Sequence, residues 1–449
     1  MIKKIVLLGY GTIGKCVFDL LTLDNIYIRD TLGLDVQHMP IIVIDRYLPS
    51  TEEKARLSKR GRNIHWIEYA LKKDTLKPLF ESISLEQHDL VIDVTSCTET
   101  RLIVKLVAYH FKACYICTAL EGWDGWIYPM PEMVSKVAQL KEVLPDDGRH
   151  PSVLVTHGMN PGMVSHFAIQ AVKMIPENER KSISIMHITE TDTQKVVNSA
   201  VNRRNLAVAV PKLIKRDSRI TKDIISTWGP QNFVDEMNTN PYYVQKGRTT
   251  KDKKRSLLCP LDSFIYDPVT DGIVSYTGYN VTHEETFTLN NYLKSNIGAK
   301  ANLAFIYKPS DISFKSLISS NRGNGNSKSR SKSKRKNSAA RCNRKGLLLK
   351  GPDVRGYDTV GIYVQTQTGR KVWVGNACSA GYAPTDAIKE RYHNATTMQV
   401  AAGVMSAIYV ISKAPNLGFR YPEEIPDALR PGLLSFSERY YGKITIKTW

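Results

Sequence analysis

The start of the chain constrains its fold most. Residues 5–8 are the apolar run Ile-Val-Leu-Leu, which breaks at once into Gly9-Tyr-Gly11-Thr12-Ile13-Gly14. An apolar run without alternation suits a strand buried on both faces, at the centre of a parallel sheet. In a strand-to-helix turn of this spacing the first glycine makes the bend, the second lets the backbone approach a diphosphate, and the third lets the helix pack on its strand. The anion then lies at a helix N-terminus, where unpaired N–H groups and the helix dipole favour it. Lys15 to Leu23 continues as an amphipathic helix with Cys16, Val17, Leu20 and Leu21 on one face. Gly9, Gly11, Thr12, Ile13 and Gly14 are therefore the expected dinucleotide-binding residues.

A second apolar run, Pro40 to Ile44, ends at Asp45, an acid suited to accept the ribose hydroxyls of an adenosine. It lies further from the glycines than the usual spacing of about 20 residues. Thr31 to Met39 is accordingly read as an extra loop. The acid points to NAD rather than NADP, with Arg46 directly after it.

Beyond Asp45 the pattern alternates. Asn63 to Ile67, Leu90 to Val94, Ala113 to Leu120 and Val153 to Thr156 read as strands, while Lys73 to Ile83 and Arg101 to His110 read as helices. This rhythm indicates an α/β fold with a doubly wound, Rossmann-type parallel sheet. Thr95 and Ser96 end the Leu90 strand, at the carboxyl edge where open parallel sheets bind ligands. Val153 to Thr156 runs into His157-Gly-Met-Asn160-Pro-Gly-Met-Val-Ser165-His166, a loop with a proline at a helix start; Phe167 to Met174 is read as helix.

From there the chain turns strand-rich: Ser182 to Thr189, Ser263 to Tyr266, Gly272 to Tyr279, Phe287 to Leu289, Ala304 to Tyr307, Val360 to Thr366 and Arg370 to Val374. A second, mixed α+β substrate domain is expected. Thr385 to Tyr392 and Thr396 to Ser412 return as helices, the latter with the small residues Ala401, Ala402, Gly403 and Ala407. The division expected is 1–155 for the nucleotide domain, completed by 384–449, and 156–383 for the substrate domain.

A chain of 449 residues with 42% hydrophobic content is long enough for two or three cores. No run reaches the roughly 18 to 20 apolar residues that span a bilayer, and Met398 to Ser412 comes nearest. With no signal-like N-terminus, a cytoplasmic protein without a membrane partner is expected. The cysteines are odd in number and scattered, so neither a disulfide framework nor a metal centre is expected; Cys114 and Cys117 fall on opposite faces of one strand. The net charge of +19 is concentrated: residues 322–345 hold ten basic residues and no acid, and +9 remains without them. The tract 319–345 reads as a disordered insertion, able to meet nucleic acid electrostatically but without aromatic residues to stack on bases.

Several acids stand at strand ends or in loops: Glu121 in Glu-Gly-Trp-Asp-Gly-Trp, Glu190 in His187-Ile-Thr-Glu-Thr-Asp-Thr-Gln194, Glu236 eight residues after Trp228, Glu285 after His283, and Asp358 before the Val360 strand. Each alone is an ordinary solvated acid.

These segments, with His157 to Phe167, Ser226-Thr-Trp228, Tyr357-Asp-Thr-Val-Gly361 and Asn394-Ala-Thr-Thr-Met-Gln-Val400, resemble in order the bacterial-type homospermidine synthases of the saccharopine dehydrogenase-like superfamily. The resemblance implies joining of two putrescines, or related diamines, with loss of ammonia and with NAD lending and regaining a hydride. It also implies a homodimer. It assigns Glu121, Glu236, Glu285 and Asp358 to the dication, Trp228 to a cationic intermediate, Glu190 to catalysis, and Asn160 to orienting substrate at the nicotinamide. His283 is the expected proton acceptor, because an ordinary imidazole titrates near neutral pH. Two other readings stand beside it: a related reductase that condenses an amino acid semialdehyde with a diamine, and a nucleic-acid-binding protein acting through the basic tract.

Overall fold

The computed structural model describes residues 2–58, 63–96, 98–122, 129–197, 224–322 and 346–449. Six parallel strands follow the order the N-terminus announces: β1 (Ile5–Leu8), β2 (Ile41–Asp45), β3 (Ile64–Glu68), β4 (Leu90–Asp93), β5 (Cys114–Cys117) and β6 (Val153–Leu154). They lie as β3-β2-β1-β4-β5-β6, and the late strand Phe419–Arg420 adds beyond β6. The order reverses between β1 and β4. A crevice opens at such a reversal outside the strands' carboxyl ends, and β1 is fully buried there because it has neighbours on both edges.

The second sheet has nine strands and mixed direction. At its centre β7 (Ile183–Asp192) pairs in parallel with Asn302–Lys308 and antiparallel with Tyr357–Thr366. The C-terminal stretch does not serve one sheet alone: Phe419–Arg420 joins the first and Ile444–Thr448 the second.

Helix Ala395–Lys413 links the layers. It is long and apolar enough to cross a membrane, yet most of it is buried inside the protein. A Cβ on its Gly403 would stand 2.0 Å from the carbonyl oxygen of Gly158. That glycine lets the loop carrying Asn160 lie on the helix. The final helix, Arg430–Tyr441, is pinned by Arg439, whose Nε and Nη2 each meet the Asp24 carboxylate at 2.6 Å.

Some expectations need correction. Phe287 to Leu289 is not a strand; Glu285–Tyr292 is a helix. Its residues 285–290 are all buried, so a short apolar alternation carried no strand signal. The helix after Asn160-Pro161 begins at Met163, not at the proline. Part of the expected loop 31–39 is helical, since Asn25–Leu32 forms a helix closed by Gly33 with φ 70°. Residues 319–322, expected to be disordered, end the helix Asp311–Arg322; the rest of the basic tract, 323–345, lies outside the described residues.

Candidate active site

The glycine turn has the geometry its spacing implies. Gly9 has φ 92°, and a Cβ on Gly14 would fall 2.0 Å from the Gly9 carbonyl oxygen. Gly11 faces open space, and as N-cap of helix Thr12–Leu23 it offers no side-chain cap. The first backbone N–H groups are thus left for a ligand. Thr12 and Ile13 form that first turn. Asp45 closes the end of β2, its Oδ2 accepting from the Tyr10 N–H at 2.6 Å and its Oδ1 from the Tyr47 N–H at 2.8 Å. Thr95 donates to the buried Asp93 carboxylate at 2.7 Å, while Ser96 is exposed. The turn, Asp45 and Thr95 therefore line one edge and fit a diphosphate and a ribose.

A second group of residues gathers where the second sheet meets helix Ala395–Lys413. Strand alternation puts Glu190 and Asp192 on one face of β7, and Asp358 stands directly across the strand pair from Asp192. All three are buried. Asn160 donates from its loop to Glu190 Oε2. Thr396, in the first turn of its helix, donates to Asp358 Oδ2, and Asp358 Oδ1 has no donor among the described residues. Asp192 accepts from the Thr227 hydroxyl at 2.7 Å and the Gln194 N–H at 2.8 Å.

Helix Pro230–Asn238 brings Glu236 to His283, with Oε1 2.8 Å from Nε2, and Glu285 Oε1 lies 3.4 Å from Nδ1. Neither oxygen of the buried Glu285 accepts a hydrogen bond from a described residue. Phe305, on the strand parallel to β7, meets the His283 ring edge-on at 4.6 Å between centroids, and Tyr307 beside it receives the Trp228 Nε1–H at 3.4 Å. Trp228 thus belongs to an aromatic floor under the acids.

The electrostatics follow from crowding. Burial first, then the charges of Asp192 and Glu236, raise Glu190 to about 8 against its bonds from Asn160. Burial raises Asp192 to about 6. Asp358 is pushed well up by burial and by Glu190 and Asp192. Burial works to lower the His283 imidazole, but Glu285 and Glu236 outweigh it and hold the ring well above its ordinary range. These neighbours favour the imidazolium form of His283, which runs against its expected role as proton acceptor. Ligand-type atoms of His283, Glu284 and Glu285 come within 4.8 Å of one another.

Glu121 stands apart from Glu190, nearer the nucleotide sheet. Burial raises it to about 8, with Glu284 and Asp93 adding to the effect. Glu284 in turn accepts from the Leu120 N–H at 2.8 Å. Residues 123–128 of the expected site loop lie outside the described residues.

The structure brings Asn160, Glu190, Trp228, Glu236, His283, Glu285 and Asp358 together and keeps the glycine turn as a separate edge. Asp192, Glu284, Tyr307 and Thr396 were not singled out from the sequence. Asp192 was within reach of the alternation rule, two residues from Glu190; the other three have no local signal.

No protein-family model and no curated protein sequence matches the chain. Its fold is nevertheless shared with solved structures. The homospermidine synthase of Legionella pneumophila, solved in complex with NAD, superposes with a TM-score of 0.74 at 19% identity, over 100% of this chain and 91% of that one. The L-glutamate-forming saccharopine dehydrogenase of Saccharomyces cerevisiae superposes with a TM-score of 0.57 at 11% identity, over 100% of both chains.

Proposed function

We propose that the protein is an NAD-dependent aminoalkyl transferase, a homospermidine synthase, which joins two putrescines and releases ammonia. The observation that carries this reading is the donor-poor acidic site. Glu190, Asp192, Glu236, Glu285 and Asp358 are buried around the partly buried His283, and among the described residues oxygens of Glu285 and Asp358 accept no hydrogen bond. Acids crowded in this way hold protons in the free protein, and a cationic ligand would offset the charge they carry once ionised. A diamine dication supplies two ammonium groups, each with three donors.

Gly9 to Gly14 would hold NAD with its ribose at Asp45, and the cofactor would supply a reversible hydride acceptor. The remaining work falls to the chain. Glu236, Glu285 and Asp358 hold the ammonium ends, and Glu121 extends the acidic wall toward the nucleotide edge. Asn160 fixes the Glu190 carboxylate and the substrate beside it. Trp228 faces the iminium formed when one diamine is oxidised; an indole face attracts such a charge by up to about 2 kcal/mol when water is excluded.

The second diamine must lose a proton before its nitrogen attacks the imine carbon. His283 already carries its proton, so that task passes to Glu190 and Asp192, raised to about 8 and about 6, with Asp358, itself pushed well up by burial, beside them. As the new carbon–nitrogen bond forms, the same carboxyl group returns the proton to the departing amine, which leaves as ammonia.

The test is mass analysis of the products from putrescine with catalytic NAD. Homospermidine and ammonia without net NADH are expected. NADH accumulating in proportion to product would overturn the reading.

A further inference from the structure

Away from the acidic site, a cavity of about 340 Å³ lies between helix Thr12–Leu23, helix Thr51–Ser58 and the segment that leads into helix Ala395–Lys413. Its lining divides into groups already engaged and groups that are not. Asp19 is engaged: its Oδ2 is 3.0 Å from His393 Nε2 and its Oδ1 3.5 Å from Arg391 Nε. Asn394 is engaged too, its Oδ1 accepting from the Thr397 N–H at 2.8 Å and its Nδ2 donating to the Thr227 and Leu349 carbonyls at 2.7 Å.

The unengaged groups are donors. Lys15 meets only the Tyr10 ring, 5.4 Å from its centroid, and forms no ion pair among the described residues. Lys350, on the cavity rim, likewise has none, and its ammonium is held below its ordinary value by desolvation and then by the charge of Lys15. The Thr397 hydroxyl is 1% exposed, lies on this wall and has no partner. Glu53 and Glu390 also line the cavity, but neither lies within ion-pair distance of either lysine. Unpaired donors from separate elements around one cavity are the pattern that binds an oxyanion through charge-assisted hydrogen bonds.

We propose that this cavity is a binding site for a phosphate-class anion, held by Lys15, Lys350 and Thr397 and separate from the dinucleotide's own diphosphate. The separation rests on placement. The diphosphate belongs over Gly11, at the carboxyl edge of β1; Tyr10 and Thr12 of the same turn reach only one end of the cavity, and Lys15 and Asp19 carry it along the flank of the helix. The volume admits a phosphorylated small molecule rather than a bare ion alone. The site also adjoins the acidic one through single peptide links, because Thr396 next to Thr397 holds Asp358 and Asn394 holds the backbone of Thr227 beside Trp228.

The test is titration of the full chain, saturated with NAD, with inorganic phosphate and inorganic pyrophosphate by calorimetry. NAD binding is followed separately by fluorescence. Binding of either anion is expected, weakened about tenfold or more by Lys350→Met and by Thr397→Val, with thermal unfolding confirming that each variant is folded. No anion binding, or affinity unchanged in both folded variants, would overturn the proposal. So would binding that appears only without NAD, because the lysines would then serve the dinucleotide. Failure of NAD itself to bind would instead count against the cofactor reading.

Discussion

Asp192 and Asp358 face each other across neighbouring antiparallel strands, directly opposed in register and both buried. Like charges in that position weaken a sheet. The pair persists because neither acid needs to be fully ionised in the free protein: each is raised by burial, and Thr227, Gln194 and Thr396 supply donors for the charge that remains. A cationic ligand would favour their ionised forms, and this coupling of proton and ligand leads to the first prediction.

Stability of the free protein should fall as pH rises across this cluster. Glu190 is raised from 4.5 to about 8, so the folded state binds more protons than the unfolded chain between those values, and stability present below 4.5 is lost as pH climbs through about 8. Glu190→Gln should flatten this decline, and putrescine should raise the melting temperature more at pH 8 than at pH 6. Melting curves of both proteins across pH check it; identical slopes would contradict it.

His283 should titrate above its ordinary range in the free protein and drop when either acid partner is neutralised. Glu236→Gln and Glu285→Gln should each lower its midpoint, since those charges hold the proton on. The contribution of these pairs to stability is present below the ordinary histidine range and lost as pH rises through the folded value. Imidazole resonances followed by NMR across pH measure the midpoint, and an unshifted His283 would refute the assignment.

Two glycine substitutions should separate folding from cofactor binding. Gly11→Ala meets open space, at φ −74°, so the protein should melt within about 0.5 kcal/mol of the parent while NAD affinity falls because the methyl stands where the diphosphate must approach. Gly14→Ala drives a Cβ into the Gly9 carbonyl and should cost both stability and NAD. Paired melting and NAD fluorescence titrations distinguish them.

Trp228→Ala should reduce turnover of putrescine about tenfold or more, on the scale of a desolvated cation–π contact. The ring is only partly buried, so the melting temperature should move little. Steady-state kinetics beside a melting curve read both, and unchanged turnover would remove Trp228 from the site.

Much of the fold is legible locally. The run Ile5 to Leu8, its glycines and the following helix form a self-contained pattern, and β1, β2, β4 and β5 announce themselves as apolar runs, whereas Phe419–Arg420 is too short to carry such a signal. Asp45 and Thr95 could be placed because strand ends in such a sheet are ligand positions. Glu285 to Tyr292 failed for the opposite reason: a helix buried all round has no amphipathic period to read.

The sequence by itself determined the nucleotide turn, the strand rhythm and which acids stand at unusual places, because those depend on spacing within a few residues. Tertiary structure alone decided what the acids do to one another. His283 changed from prospective base to imidazolium only when Glu236, 47 positions earlier in the chain, arrived 2.8 Å from its ring. Asp358 became a proton-holding acid only when folding buried it and brought Glu190 and Asp192 beside it. A proton affinity is set by the charges and solvent around a group, and those neighbours come from distant parts of the chain.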